Sequence, residues 1–268
     1  ADVWSMAAAK FTAAQMRLWV RVPTMNLSWV WERHPEWRVR TDGRTALATR
    51  WSSRLSPEVP GARRAAVDLL SDLAVYLPIH GVLFDDDAAL GPRERLATDS
   101  TATPDRRVAV IRGLIEECKQ AVRDWRPECR FARRMPAACV ETVGIDPTTN
   151  ADLADCFAHG ELAVVDVVRS SRSDTPDDIE RFARRGVARW QATHVRGDVP
   201  LLLMLSAYDR GTRAWIGAVR QQAQATAALH AGITHLGTTP IAAQGELPIG
   251  LLDNRRPVPD AKAAAKQR

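Results

Sequence analysis

The sequence predicts an α/β chain, a (β/α)8 TIM-type barrel lacking its first one or two β/α units. Three observations predict it. Short apolar runs alternate with longer amphipathic stretches along the 268 residues, giving six visible strand segments; this order builds a parallel sheet through crossover helices. The loop after the first strand, "VPTMNLSWVW", has none of the glycines that a dinucleotide-binding sheet needs there. A full barrel takes about 250 residues for eight units, yet only six units are visible and the first strand lies close to residue 20. The remaining one or two units are therefore either missing on the N-terminal side or hidden, and the expectation is that they are missing.

Each element has a local reason. "MRLWVRVPTM" (16–25) is an apolar strand. Residues 56–77 read as a helix, with Pro and Gly ahead of it and Ala65, Leu69, Leu70, Leu73 and Leu77 at helical spacing. "HGVLF" (80–84) is a strand. Residues 104–127 form an amphipathic helix whose stripe is Val108, Ile111, Leu114, Ile115, Cys118 and Val122. "CRFARRMP" (129–136) is a weaker strand. Residues 150–160 form a short helix, with Asn150 or Asp152 as cap candidates and Gly160 as terminator. "LAVVDVV" (162–168) is a strand, and 175–193 is a helix opened by Thr175 and Pro176 with acids behind them. "PLLLMLSAY" (200–208) is a strand, 211–232 a helix ending at Gly232, and "ITHLGTTP" (233–240) the last strand. The expected organisation is one barrel domain over 1–250 and a polar, weakly ordered tail over 251–268, which lacks a core pattern.

Composition narrows the function. The net charge is +5, with Arg dispersed along the chain. Without a helix-turn-helix, zinc-finger or RNP pattern, the expectation is no nucleic acid. The longest greasy run, "VPLLLMLSA", is strand length, so no transmembrane segment is expected. Cys118, Cys129, Cys139 and Cys156 have no zinc-knuckle spacing, which leaves buried thiols or one or two disulfides open. The histidines are scattered and form no metal motif, so neither a catalytic metal nor a cofactor is expected.

The candidate chemistry begins at "HGVLFDDDAAL" (80–90), where Asp85, Asp86 and Asp87 follow an apolar strand. Crowded acids push one another's pKa values apart, so one can hold a proton while its neighbour stays charged. Glycosidases need such a pair. An Asp-rich turn and an oxygen-ligand cation site are the other readings of this triplet. Asp166 and Asp209 are further acids at strand ends, with Arg133 or Arg134 as a partner for Asp166. Five of nine tryptophans fall between positions 19 and 51, and Trp29 and Trp31 sit in the loop after the first strand, where sugar-stacking rings are placed in a barrel.

The order of segments resembles the C-terminal domain of the poly-β-1,6-N-acetyl-D-glucosamine N-deacetylase (PgaB-like) family. The segments are "RLSP" (54–57), "LLSDLAVYLPIHGVLFDDDAAL" (69–90), "RFARRMPA" (130–137), "LLLMLSAYD" (201–209) and "QATAALHAGITHLGTTP" (224–240). "GVLFDDDAAL" is the most specific of them. The resemblance implies a glycoside-hydrolase-like barrel in the Gram-negative periplasm or at its outer membrane, following a deacetylase domain upstream. The domain would bind, and in some members cleave, partially deacetylated poly-β-1,6-N-acetyl-D-glucosamine, a biofilm exopolysaccharide. It implies Asp86 and Asp87 as the catalytic acids. Asp85, Arg133, Trp29, Trp31, Asp166 and Asp209 are then the expected substrate-binding residues. The family's His-Asp-Asp falls on Asp85, Asp86 and Asp87. Its fifth-strand Asn is Arg134 here, an aromatic becomes Arg21, a Glu becomes Ser171, a Trp becomes Arg210, and paired tyrosines become Thr238 and Thr239. These departures remove stacking surface and a carboxylate, so a non-catalytic exopolysaccharide-binding module on the same fold is the alternative.

Overall fold

The computed structural model describes residues 3–41, 53–85, 87–91, 93–147, 151–159, 162–167, 175–193, 201–206, 208–209 and 214–239. Six strands form one parallel sheet. They are β1 (Trp19–Val22), β3 (Gly81–Phe84), β5 (Arg130–Met135), β6 (Leu162–Asp166), β7 (Leu201–Ser206) and β10 (His235–Thr239), hydrogen-bonded in the order β1-β3-β5-β6-β7-β10. The sheet curls into a partial barrel, with β1 and β10 as its two edges. Two short antiparallel pairs sit outside it: β2 (Arg40–Thr41) with β4 (Glu94–Arg95), and β8 (Tyr208–Asp209) with β9 (Ala214–Trp215).

The crossover helices follow the predicted order. They are α3 (Pro60–Tyr76), α4 (Pro104–Arg123), α6 (Leu153–Ala158), α7 (Pro176–Ala192) and α8 (Ala218–His230). Helix α4 buries Ile111, Leu114, Ile115, Cys118 and Val122 from its predicted stripe. Thr175 opens α7 with a reciprocal capping box to Asp178, which satisfies two otherwise orphaned backbone donors. Asp152 caps α6 by accepting from the Ala154 amide. Gly232, at φ +95°, follows α8 in a left-handed conformation that glycine adopts at little cost.

Three helices lie outside the sequence expectation: α1 (Val3–Ala13), α2 (Ser28–Arg33) and the single turn α5 (Ala138–Glu141). The helix expected from residue 211 begins at Ala218 instead, because Ala214 and Trp215 pair with Asp209 and Tyr208. The first strand is also shorter than expected. Pro23 has no N–H to offer a ladder, and the next three amides are taken by a side chain described below. Residues 251–268, expected as a tail, lie outside the described residues.

Two hydrophobic cores share the sheet. One lies among β1, β3, α3 and α4 and includes Val22, Val82, Phe84, Leu114 and Phe131. The other includes Met135, Phe157, Val165, Phe182, Leu203 and Leu205. Strand β5 joins them, giving Phe131 to the first core and Met135 to the second. All four cysteines are buried free thiols. Burial raises Cys118 to about 12 and Cys129 to about 11, so both are protonated and unreactive at neutral pH.

At the first core's edge, the Trp19 ring lies flat across Gly81, its neighbour in the β1–β3 register. A Cβ at Gly81 would run into that ring. Gly81→Ala is therefore expected to displace Trp19 and to cost roughly 1–3 kcal/mol. Urea unfolding and the tryptophan emission maximum measure the two effects.

Candidate functional site

The C-terminal ends of β1, β3 and β5 meet beside the aspartate triplet. Val22 O accepts the Asp85 amide at 3.1 Å, which carries the parallel pairing one residue past β3. Beyond this point the triplet divides.

Asp87 turns inward. Its carboxylate accepts hydrogen bonds from the backbone amides of Thr24 (2.9 Å to both oxygens), Met25 (2.7 Å) and Asn26 (2.7 Å). Only 9% of the residue is exposed. Burial pushes the carboxyl above its ordinary range, and the three amides and the Arg54 charge oppose that rise. Arg54 also donates to the Asp87 carbonyl at 2.5 Å and pairs with Glu94 at 2.6 Å. The arrangement ties the loop after β1 to the loop after β3.

Asp85 stays at the rim. Arg21 holds it with two parallel hydrogen bonds, Nε to Oδ2 at 2.8 Å and Nη2 to Oδ1 at 2.7 Å. Arg134 reaches the same carboxylate at 3.1 Å. A bidentate guanidinium fixes the carboxylate's orientation as well as its charge. Three positions that depart from the family pattern, Asp85, Arg21 and Arg134, thus converge on one ion-paired cluster.

Side chains alternate across a strand, so Arg133 and Arg134 part company. Arg133 is buried and donates to Asp155 on α6 at 3.2 Å. Arg112 of α4 pairs with the same Asp155 at 3.3 Å. This network ties helices to β5 on the face away from the Asp85 cluster. Asp86 lies outside the described residues. Asp166 ends β6, with its backbone paired to Met204, and Asp209 lies in β8.

The two loop tryptophans also separate. Trp31 packs against the first core under the Arg38 guanidinium, 3.6 Å from its ring centroid. Arg38 Nε also donates to the Trp31 carbonyl. Trp29 is 48% exposed. It lines a groove of about 680 Å³ with Trp19, Arg21, Pro23, Phe11 and Leu73, along the β1 edge of the sheet. Arg21 thus touches both the groove and Asp85. The sequence marked Arg21 as a departure from a pattern and Arg134 as that and as a possible partner of Asp166; their common partner Asp85 was visible only once β1, β3 and β5 were adjacent.

The Asp87 contacts predict a structural cost. Asp87→Ala strips the acceptor from three backbone amides, at roughly 1–3 kcal/mol for each buried donor left unsatisfied. Asp87→Asn keeps one acceptor oxygen and is expected to lose less. Denaturant unfolding of the two variants checks this order.

Residues 3–135 match the family described as hypothetical glycosyl hydrolase family 13. No curated protein sequence matches the chain. Among solved structures, the chain is similar to the PgaB (BpsB) glycoside hydrolase domain from Bordetella bronchiseptica, with a TM-score of 0.67 and 18% identity over 90% of this chain and 75% of that one. It is also similar to an alpha-galactosidase from Lactobacillus brevis (TM-score 0.54, 14% identity, 93% of this chain and 30% of that one). A third similar fold is a GH36 alpha-galactosidase AgaA variant from Geobacillus stearothermophilus (TM-score 0.55, 11% identity, 93% and 31%). The chain therefore spans about a third of the length of either galactosidase. No helix among the described residues is long and apolar enough to cross a membrane. Residues 3–135, just under half of the chain, thus match a glycosyl hydrolase family, and the sheet has the fold of the PgaB glycoside hydrolase domain, a partial TIM barrel.

Proposed function

We propose that the domain binds partially deacetylated poly-β-1,6-N-acetyl-D-glucosamine along the C-terminal rim of its sheet, as a non-catalytic module on a glycosidase fold. The observation that carries this reading is the engagement of the Asp85 and Asp87 carboxylates within the protein. Asp87 holds three backbone amides, and Asp85 lies between Arg21 and Arg134. Glycoside hydrolysis uses a pair of carboxyl groups facing the scissile bond, and these two are occupied by other contacts.

Charge and shape support a cationic glycan. Asp85 and Asp87 lie past the ends of β1 and β3, and Asp86, Asp166 and Asp209 fall at strand ends in the sequence, acids that favour the ammonium groups of deacetylated residues. The exposed Trp29 offers its ring face to the apolar C–H face of a sugar, in a groove wide enough for a chain. This reading puts the protein where the polymer is, in the periplasm or at the outer membrane of a Gram-negative cell, with a deacetylase domain preceding it in the same polypeptide.

A second reading, hydrolysis, is favoured by the sheet order. Asp86 follows β3 and Asp166 ends β6, with β5 between them. In this reading Asp86 is the acid and Asp166 the base. Asp87, expected as half of the catalytic pair, then acts by anchoring the backbone next to Asp86.

Affinity electrophoresis on the partially deacetylated polymer, followed by mass spectrometry of the soluble fraction, separates the two. Binding without cleavage predicts retention that weakens as salt rises and no new oligosaccharides. Release of oligosaccharides that stops in Asp86→Asn and in Asp166→Asn replaces the first reading with the second. Absence of retention at low salt removes both.

Arg21 supplies a further check. Arg21→Ala removes the bidentate partner of Asp85 and leaves more negative charge at the rim. Retention on the cationic polymer is expected to tighten by up to about fivefold, the equivalent of an exposed ion pair of about 1 kcal/mol.

A further inference from the structure

We propose a second ligand site at the opposite, N-terminal mouth of the sheet, one that takes a small anion with an apolar ring face, such as an acidic sugar. A cavity of about 430 Å³ opens there, within the size range of small-molecule sites. It lies where β1, β3 and β5 begin. Trp19 starts β1, His80 precedes β3 and Arg130 starts β5, while Trp125, Arg126 and Cys129 belong to the connection between α4 and β5.

The lining is cationic. Arg17, Arg126 and Arg130 face a single acid, Glu128. Among the described residues, Arg17 and Arg130 have no ion-pair or hydrogen-bond partner for their guanidinium groups. Arg126 is anchored, its Nε donating to the Ala74 carbonyl at 2.8 Å. His80 adds a directed donor. Its Nδ1 accepts the Leu18 amide at 3.2 Å, which places the ring proton on Nε2. Planar guanidiniums match a carboxylate or phosphate.

The apolar part of the cavity has the other half of the chemistry. The Trp19 ring is pinned across Gly81, and Trp125, 57% exposed, is held by its indole N–H on Ser71 at 3.2 Å. Ile79 and Pro127 complete this lining. Two positioned indoles beside unpaired guanidiniums suit a ring with a negative group better than a bare ion. The site shares Trp19 with the groove beside β1 but uses none of the residues of the Asp85 cluster.

Isothermal titration of the whole chain with D-glucuronate, glucose 6-phosphate, glucose and inorganic phosphate tests the proposal. Saturable binding of glucuronate or of glucose 6-phosphate is expected, and whichever binds tighter identifies carboxylate or phosphate as the source. Glucose and inorganic phosphate are expected to bind at least about tenfold more weakly than the better ligand, a difference of about 1.4 kcal/mol. Arg17→Ala and Arg130→Ala should each weaken the acidic sugar by a similar factor, and Trp125→Ala should weaken it while leaving inorganic phosphate unchanged. The proposal is overturned by no saturable binding of either acidic sugar at millimolar concentration, by equal binding of glucose or of inorganic phosphate, or by arginine variants that bind like the wild type. Arg17→Gln and Arg130→Gln, which keep the side-chain stem, replace either alanine variant that loses its cooperative melting transition.

Discussion

The carboxylate of Asp87 gathers the backbone amides of Thr24, Met25 and Asn26, and the rim of the sheet is organised around that contact. Three consecutive N–H groups pointing at one acceptor require the chain after Pro23 to leave the strand and bend. The same contact closes the loop after β1 against the loop after β3, with Arg54 and Glu94 holding the outer side. A buried carboxylate is costly unless such donors surround it. Here they do, so its cost is converted into a fixed relation between two loops.

From this anchor the rest of the rim takes its place. Asp85, two residues earlier, is left facing the opening, where Arg21 and Arg134 reach it from the strands on either side. The cluster needs all three of β1, β3 and β5 in register. Arg133, one residue before Arg134, faces the helices and serves Asp155 instead. Alternation along a single strand thus separates a rim charge from a structural one.

The two mouths of the partial barrel differ in charge. At the C-terminal rim, Asp85 and Asp87 are matched by Arg21, Arg54 and Arg134. At the N-terminal mouth, arginines border a cavity with two tryptophans and one glutamate. Trp19 lines both this cavity and the long groove beside β1, because its ring spans the edge strand over Gly81. An edge strand with a groove on one side and a cavity at its start follows from a sheet that does not close.

Much of the fold was legible in the chain. Six apolar runs became six parallel strands in chain order, Thr175 and Asp152 capped their helices, and Gly232 followed the end of the last one, because each of these features depends on neighbours a few residues away. The Asp triplet was legible as a concentration of charge at the end of a strand. What each aspartate does there was not. Asp87 lies 61 to 63 residues from the amides it binds, and Asp85 lies 64 and 49 residues from its arginines. No local pattern encodes such pairings. Helix α1 escaped notice for a related reason, since its mostly exposed, apolar sequence shows no periodic face. By itself the sequence determined the order of the six main strands and their crossover helices, the caps and the partial-barrel architecture. The tertiary structure alone decided which carboxylates are engaged and which arginines face the rim, because those choices depend on which strands lie side by side.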